Sequence, residues 1–393
     1  MSLAGRDVAV VGAGVGGASA ALCLARAGAT VTLFERADEP RAVGAGILLQ
    51  PNGLAVLYGL GLEAALRAHG RRATTATVAD AAGRVIGRTP VPDFGGGLDH
   101  ALCLRRSRLV SALLDALACE PHVMQRFGVE VTAAHPDGTL EWRAGDDVGS
   151  GRWDLVVAAD GVHSRLRDAG DFGATCTPSY RYLRAIAPVV AHDRFTERWT
   201  ALGIFGDGPV DGGTYLYAST AAPVLQAALD ARDLDALCAA WAAACPDAAR
   251  LLAGVASFDD LLLNQVIRVD CRQFVDGRLV LLGDAAHAMA PNLGQGANSA
   301  LVDAAVLARE LAANDDVDAA LACWDARRRP AVRRVQDVAG ALARASHLRA
   351  AWARALRDGA FRLLAAFDDG RRGVRAAQQE DPAWLRHAVE ALG

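Results

Sequence analysis

One stretch near the N-terminus, residues 6–35, constrains the fold more than any other part of the sequence. An apolar run rich in β-branched residues, 7–11, predicts a buried strand. An alanine- and leucine-rich segment, 18–27, predicts a helix, and a second β-branched run, 30–34, predicts another strand. A glycine-rich turn, GAGVGG, joins the first strand to the helix. This order of elements is typical of the unit that binds the pyrophosphate of a dinucleotide.

Each part of the turn has a predicted role. Gly12 permits the tight turn, Gly14 lets the backbone approach a pyrophosphate, and Gly17 lets the helix pack closely on the strand. Glu35 ends the second strand, where its carboxylate can accept both ribose hydroxyls. The predicted nucleotide-binding residues of this stretch are therefore Gly12, Gly14, Val15, Gly16, Gly17 and Glu35. They leave open whether the nucleotide is FAD or NAD.

Composition narrows the class of protein. The chain has 393 residues, enough for two or more hydrophobic cores, and a net charge of −4 that predicts no nucleic-acid partner. No secretory signal and no membrane-length apolar run is visible, so we expect a cytoplasmic protein without a membrane partner. The 8 cysteines form no CxxC pair and predict reduced thiols with no metal site. Lysine is absent, which excludes mechanisms that need a catalytic lysine.

Two further motifs lie far along the chain. In the first, DLVVAADGVHSRLR at 154–167, an apolar strand ends at Asp160 and Gly161. In the second, RLVLLGDAAHAMAPNLGQGAN at 278–298, a strand delivers Gly283 and Asp284, and a proline- and glycine-rich loop opens a long helix near Gly296. The start of this helix directs N–H groups at an electron-rich acceptor, and Gly294 and Gly296 allow backbone contact.

Together the three motifs resemble the single-component FAD-dependent aromatic hydroxylases, the para-hydroxybenzoate hydroxylase-like flavoprotein monooxygenases. The resemblance covers roughly residues 6–330 and implies an α/β fold. A Rossmann-like FAD-binding domain (1–73, 101–176 and 268–330) would be interleaved with a β-sheet substrate domain (74–100 and 177–267). The C-terminal helices, 331–393, would follow.

The resemblance also implies a set of cofactor residues. Glu35 and Arg36 would hold the adenosine side of FAD, Arg106 would contact the cofactor from a helix entrance, and Asp284 would bind the ribityl chain. The Asp-Gly motif would serve FAD and NAD(P)H. The remaining implied contacts are Arg41, Gly46, Asp160, Pro291, Gly294, Gln295, Gly296, Ala297 and Asn298. Arg41 is equally consistent with a solvated loop charge, and His287 is more typical of a packed, hydrogen-bonded histidine.

In such enzymes NAD(P)H reduces FAD, the reduced flavin captures O2 as a C4a-hydroperoxide, and an activated aromatic ring receives the oxygen. The expected partners are therefore a small aromatic substrate, phenolic or polyketide-like, with O2 and NAD(P)H, in a monomer or homodimer. Strand alternation places Tyr215 and Tyr217 on one face, where a phenol could orient or deprotonate the substrate. Packing within the sheet is the more common role of such tyrosines, because aromatic residues are often used in strands. Arg184, His100 and Gln226 are weaker substrate candidates.

Several alternatives remain open at this point. Epoxidation, Baeyer–Villiger insertion and N-hydroxylation use the same fold with different pockets. A reductase-like flavoenzyme or a flavin-binding protein without turnover is also consistent with the first motif. A flavin-dependent halogenase is excluded by the missing lysine and the missing WxWxIP motif, and an oxidase does not account for the Asp-Gly motif.

Overall fold

The computed structural model describes residues 3–39, 45–189, 194–367 and 370–393. Its strands are β1 (Asp7–Val11), β2 (Thr30–Glu35), β3 (Gly46–Leu49), β4 (Arg71–Ala73), β5 (Thr75–Asp80), β6 (Val85–Pro90), β7 (Ala101–Arg105), β8 (Val123–Phe127), β9 (Glu130–Ala134), β10 (Thr139–Ala144), β11 (Asp147–Arg152), β12 (Leu155–Ala158), β13 (Thr175–Ala187), β14 (Phe195–Thr200), β15 (Gly203–Val210), β16 (Gly213–Ser219), β17 (Leu262–Asp270), β18 (Val275–Asp276) and β19 (Leu279–Leu281).

The helices are α1 (Val15–Arg26), α2 (Pro51–Gly59), α3 (Glu63–His69), α4 (Arg106–Ala118), α5 (Pro223–Asp230), α6 (Leu234–Ala244), α7 (Pro246–Leu252), α8 (Asp284–His287), α9 (Gly296–Ala313), α10 (Val317–Ser346), α11 (Ala351–Phe367), α12 (Arg371–Ala377) and α13 (Pro382–Glu390). Within the described ranges, no helix combines the length and the apolar character needed to cross a membrane.

A six-stranded sheet carries the predicted nucleotide unit. Its strand order is β18-β19-β12-β1-β2-β8, and all neighbours except β18 and β19 run parallel. The central strands β1 and β12 are buried along almost their whole length, as continuous apolar runs in parallel sheets usually are. The parallel order brings the carboxyl ends of β1, β12 and β19 to one edge, so the three sequence motifs meet there.

A second sheet of seven strands is formed from the middle of the chain, in the order β17-β13-β16-β15-β14-β5-β6. Its outer face packs on α5, α6 and α7 through a cluster that includes Phe205 and Trp241. The inner face carries a separate cluster that includes Tyr182, Trp199 and Tyr217. A three-stranded sheet, β3-β7-β4, lies beside it, and Gly46 of β3 contacts Tyr215 of β16.

The C-terminal helices pack back onto both parts. α13 lies against α2, and α10 lies along α9. One face of α11 presents large apolar side chains to solvent, namely Trp352, Leu356, Leu363, Leu364 and Phe367. The helix α10 runs without a break through residue 330, where the sequence predicted a boundary between two segments.

Most predicted elements are present, with some differences. The strands predicted at 7–11 and 30–34 and the long helix from Gly296 are confirmed. The apolar runs on either side of residues 80–83 predict a hairpin, which β5 and β6 form. β8 and β14 were not predicted from the sequence, and residues 52–70, whose apolar pattern predicts one helix, contain two, α2 and α3. The sequence suggests Ser107 as the N-cap of α4, but the helix begins at Arg106 and Ser107 lies inside its first turn.

Candidate functional site

The glycine turn between β1 and α1 has the geometry that its sequence requires. Gly12 has φ +100°, and a Cβ there would lie 2.5 Å from the carbonyl oxygen of Ala159. A Cβ on Gly17 would lie 1.9 Å from the carbonyl oxygen of Gly12. Both positions therefore require glycine. A Cβ on Gly14 meets no atom within 4 Å, so the space in front of α1 is open.

The start of α1 is available to an anion. The N-cap residue is Gly14, which has no side chain to cap the first N–H groups of the helix, and the space beside it is open. Val15 opens the helix and is buried. Gly16 packs towards the next motif, since a Cβ there would lie 2.9 Å from Cδ2 of Leu282.

Glu35 at the end of β2 turns back towards the glycine turn. Its Oε2 accepts a hydrogen bond from the N–H of Ala13 at 2.8 Å, and its Oε1 accepts one from the N–H of Ala37 at 3.0 Å. The carboxylate therefore lies beside the turn, where the fingerprint predicts a ribose. Arg36 is exposed next to it. Arg41 lies outside the described residues.

The Asp-Gly motif follows β12. Oδ2 of Asp160 accepts hydrogen bonds from the N–H groups of Arg165 at 3.0 Å and Leu166 at 3.4 Å. Oδ1 of Asp160 is buried and has no hydrogen-bond partner among the described residues, and burial raises the pKa of this carboxyl. The guanidinium of Arg167 donates to the carbonyl oxygen of Ala285 at 3.0 Å, which joins this motif to the third one.

The third motif brings a carboxylate and a helix start together. Gly283 has φ +65° and precedes α8, whose first residue is the exposed Asp284. A Cβ on Gly296, the first residue of α9, would lie 3.9 Å from Oδ1 of Asp284. Pro291 begins a short 3-10 turn, and Gly294 ends it with φ +61°. The loop therefore presents backbone groups beside a carboxylate.

Amide side chains hold this loop from behind. Nδ2 of Asn298 donates to the carbonyl oxygens of Leu48 at 3.0 Å and Gly294 at 2.7 Å. Gln295, fully buried, donates from Nε2 to Oε1 of Gln50 at 2.9 Å. The side chains of Gln295 and Asn298 are thus committed to positioning the loop. Ala297 lies between them, partly buried. A ligand would therefore contact these residues through their backbone or on the exposed side of the loop.

The C-terminal segment completes the same amide network, which the sequence analysis did not foresee. Oε1 of Gln378 accepts from the N–H of Asn52 at 2.9 Å, and Nε2 of Gln379 donates to the hydroxyl of Ser299 at 2.7 Å. Gln379 adopts φ +67°, an unusual conformation for a residue other than glycine. Because these partners are far apart in sequence, no local pattern could have predicted them.

A buried ionic cluster lies beneath the third motif. Asp303 of α9 accepts from Nε of Arg328 at 2.8 Å and contacts Nε2 of His287 at 2.5 Å. Burial opposes ionisation of Asp303, but its contacts with His287 and Arg328 keep the pKa of this carboxyl lowered. His287 is therefore a packed, hydrogen-bonded histidine, as predicted.

The predicted tyrosines lie on the inner face of the seven-stranded sheet. The rings of Tyr215 and Tyr217 are stacked with centroids 5.7 Å apart, as strand alternation predicts. Gly46 makes room for Tyr215, because a Cβ on it would lie 2.4 Å from Cγ of that ring. Arg106 begins α4 nearby, where its N–H lies 3.4 Å from the carbonyl oxygen of Ala45.

A buried carboxylate next to the tyrosines was missed by the sequence analysis. Oε2 of Glu197 on β14 accepts from the hydroxyl of Tyr217 at 2.7 Å, and Oε1 accepts from Nε1 of Trp199 at 2.5 Å. Burial raises the pKa of Glu197, and burial together with the Glu197 charge raises the pKa of Tyr217 well above its usual value. The only signal in the sequence is the alternation of Phe195, Glu197 and Trp199.

The structure places the three weaker substrate candidates in different parts of the molecule. Arg184 is paired with Tyr217 across β13 and β16, on the inner face. Gln226 lies in α5 on the outer side and donates to the carbonyl oxygen of Thr220 at 2.6 Å. His100 is buried, and its Nδ1 lies 2.9 Å from Oδ1 of Asp99. Of the three, we keep Arg184 as a substrate candidate.

The residues that meet at the edge of the parallel sheet fit a flavin dinucleotide. The open start of α1 suits a pyrophosphate, and Glu35 lies beside it for a ribose. The unpartnered oxygen of Asp160 and the exposed Asp284 can accept hydroxyl groups, and α9 has no side-chain cap at its start. Fold and site therefore define a dinucleotide-binding flavoprotein with a second, substrate-facing sheet.

Comparison with known proteins agrees with this class. The family described as "FAD binding domain" matches residues 6–339. The chain is 33% identical over 351 residues to an aurachin C monooxygenase/isomerase of Stigmatella aurantiaca, covering 86% of this chain and 88% of that protein. It is 35% identical over 353 residues to a 2-heptyl-3-hydroxy-4(1H)-quinolone synthase of Mycobacteroides abscessus, covering 83% and 87%.

A solved structure gives the same result. A variant of HpxO from Klebsiella pneumoniae, complexed with FAD, superposes with a TM-score of 0.79 at 25% identity, covering 94% of this chain and 97% of that one. The chain belongs to the FAD binding domain family and is an FAD-dependent aromatic monooxygenase that acts on small molecules. NAD(P)H and O2 are the co-substrates that fit this family.

Proposed function

We propose that the substrate is a small aromatic or heteroaromatic compound with an ionisable O–H or N–H conjugated to the carbon that is hydroxylated. Among such compounds we propose 2-alkyl-4(1H)-quinolones as the first class to test, because one of the relatives named above is a 2-heptyl-3-hydroxy-4(1H)-quinolone synthase. The observation that carries the proposal is the inner face of the seven-stranded sheet. There the stacked Tyr215 and Tyr217 adjoin the cation of Arg184.

These groups suit such a ring in chemical terms. The stacked tyrosines provide flat apolar surface, and the hydroxyl of Tyr215 has no hydrogen-bond partner among the described residues and is free to meet a polar substituent. Arg184 has no ion-pair partner within the same described part of the chain, so it can bind a carbonyl or anionic oxygen. Neighbouring apolar side chains of the inner-face cluster exclude water.

The cofactor contacts follow from the same geometry. We propose that Gly14, Val15, Gly16 and Gly17 receive the pyrophosphate, Glu35 and Arg36 the adenosine, and Asp160 and Asp284 the hydroxyl-rich linker. The remaining proposed contacts are Gly12, Gly46, Arg106, Pro291, Gly294, Gln295, Gly296, Ala297 and Asn298. Bound FAD would supply the electron transfer and oxygen activation that no side chain can perform. The division into FAD-binding, substrate and C-terminal segments remains our proposal as well.

The experiment uses the FAD-loaded protein. We expect 2-heptyl-4(1H)-quinolone to stimulate NADH or NADPH oxidation and to gain one oxygen atom that derives from ¹⁸O2 by mass spectrometry. Arg184→Met should raise KM more than it lowers kcat, because it removes binding of the oxygen substituent. The matched control is Arg181→Met, three residues earlier on the same strand and on a position paired with Gln265.

Two outcomes would contradict the proposal. Oxidation of NAD(P)H that yields only hydrogen peroxide with every compound of a quinolone and phenol panel would argue against the substrate class. An oxygenated product in which the aromatic carbon is untouched would favour the N-hydroxylating alternative.

We propose that the protein is a monomer or a homodimer. Light scattering on the same FAD-loaded sample tests this oligomeric state.

A further inference from the structure

Glu197 is a buried carboxylate that, among the described residues, accepts hydrogen bonds only from neutral groups. Its side chain accepts from the hydroxyl of Tyr217 and from the indole of Trp199, and both donors belong to the inner-face cluster. Its neighbour Arg198 pairs with Asp207 and Asp247, and Glu197 has no cation as a partner within the described part of the chain. A buried carboxylate without a cation is costly, because burial alone disfavours its charged form.

The position of Glu197 connects it to the substrate face. The carboxylate of Glu197 accepts from Tyr217, which stacks on Tyr215, and Tyr215 in turn contacts Gly46 of β3. The carbonyl oxygen of Leu48 in β3 accepts from Asn298, which supports the loop before α9. Tyr180 packs against the inner-face cluster and also against a small cluster that Leu293 of the loop contacts. A ring bound between this face and the loop would therefore meet Tyr217 with the carboxylate directly behind it.

We propose that Glu197 and Tyr217 form a proton relay that removes the ionisable proton of the substrate, with Glu197 as the final acceptor. This inference rests on the proposed function. The substrate O–H or N–H proton passes to the oxygen of Tyr217, while the Tyr217 proton passes to Oε2 of Glu197. The substrate becomes an anion with a more electron-rich ring, and Glu197 becomes neutral. Charge and protons balance, and no oxidant is needed for this step.

The burial of Glu197 suits this role. A carboxylate with a raised pKa is a stronger base than an exposed one, and protonation removes the unfavourable buried charge. Tyr217 is the group that would touch the substrate, and Glu197 acts through it as a positioning residue.

Other titratable and charged side chains lie around Glu197 and Tyr217. Asp80 of β5 is held by Arg84 and Arg362, and the guanidinium of Arg357 lies over the ring of Trp199. The groups that face the cluster are Asp80 from β5, Tyr182 and Arg184 from β13, Tyr215 from β16, His347 after α10, and Arg357 and Arg362 from α11. Burial lowers the pKa of His347, which bonds to Ser219 and not to Glu197.

The first test is the pH profile of the FAD-loaded enzyme with 2-heptyl-4(1H)-quinolone. We expect Glu197→Gln and Tyr217→Phe each to lower kcat/KM by about 100-fold, and the double variant to lose no more than either single one. The acid limb of the wild-type profile should disappear in Glu197→Gln. Tyr182→Phe is the matched control, because Tyr182 lies in the same cluster but makes neither hydrogen bond to Glu197.

The second test needs neither turnover nor a substrate. In the ligand-free protein, infrared difference spectra should show a protonated-carboxyl band that titrates above the usual range of a glutamate and is missing in Glu197→Gln. Glu197→Gln should unfold at a higher temperature than wild type at neutral pH. A raised pKa in the folded state means that wild-type stability is lost as pH rises from the unfolded value through the folded one.

The outcomes separate this inference from the proposed function. If the quinolone is not oxygenated but the band titrates, the substrate class is wrong and the proton exchange of Glu197 stands. If the quinolone is oxygenated and Glu197→Gln keeps the wild-type pH profile, the relay is wrong and the proposed function stands. A Glu197 carboxyl that titrates at the usual pH of an exposed glutamate would also overturn the relay.

Discussion

Individual glycines decide whether the nucleotide turn can form at all. Gly17 and Gly14 are three residues apart, yet one faces a backbone carbonyl at 1.9 Å and the other faces open space. The close packing that the sequence pattern predicts at Gly17 is present, because the fingerprint encodes where the backbone must approach something closely. The role of Gly14 in binding a pyrophosphate stays a prediction, with which the open space is consistent.

The glycine pair gives a direct prediction. Gly17→Ala should lower the free energy of unfolding by about 3 kcal/mol or more, because its Cβ would overlap the carbonyl oxygen of Gly12. Gly14→Ala should cost less than about 1 kcal/mol, yet it should reduce bound FAD because its methyl group fills the space before α1. Urea unfolding and flavin absorbance after gel filtration measure the two effects. Equal loss of stability in both variants would contradict the assignment.

Helices α8, α9 and α10 are joined by one buried ionic cluster. Asp303 of α9 is fully buried between His287 of α8 and Arg328 of α10, and the loop before α9 lies directly above. A buried charge is destabilising when its partner is removed, whereas a surface pair contributes little. The cluster therefore fixes how these helices present the loop.

Substitution of Arg328 tests this arrangement of helices. Arg328→Met should lower the free energy of unfolding by about 3–5 kcal/mol, since Asp303 keeps its burial and loses its guanidinium partner. The control is the neighbouring Arg329→Met, whose i,i+4 pair with Asp325 is partly exposed and should cost less than about 1 kcal/mol. Chemical denaturation of both variants in one buffer provides the comparison. Similar losses for the two arginines would refute the special role of the cluster.

The sequence predicted helices and strands better than it predicted which residues contact each other across the fold. Local patterns sufficed for β1, α1 and the helix from Gly296, because glycine positions and apolar periodicity are local signals. β14 was missed because Glu197 and Arg198 interrupt its apolar character, and only the fold shows that both are buried. The roles of Gln378 and Gln379 depend on contacts with residues 326 and 80 positions away, which no periodicity encodes.

At the scale of the whole molecule, the cofactor and the fold should stabilise each other. A ligand that binds only the folded chain adds about 2.7 kcal/mol of stability at one hundred times its Kd. FAD should therefore raise the Tm of the wild type. At the same FAD concentration, the rise in Tm should be smaller for Asp284→Asn than for the wild type. Asp315→Asn, which changes an exposed residue after α9, is the control and should show the same rise as the wild type. Equal shifts in all three proteins would remove Asp284 from the FAD site.

The contacts of the C-terminal segment have a consequence for the order of folding. Asn52 is hydrogen-bonded to Gln378, 326 residues further along the chain, and α2 packs against α13. During synthesis the glycine turn and the parallel strands emerge long before the segment that supports the flavin loop. Contacts of such separation close late because the intervening chain must first be ordered. The loop that we propose as a flavin contact is therefore completed only after the chain through Gln378 has left the ribosome, and tight cofactor capture is expected to be a late event in biogenesis.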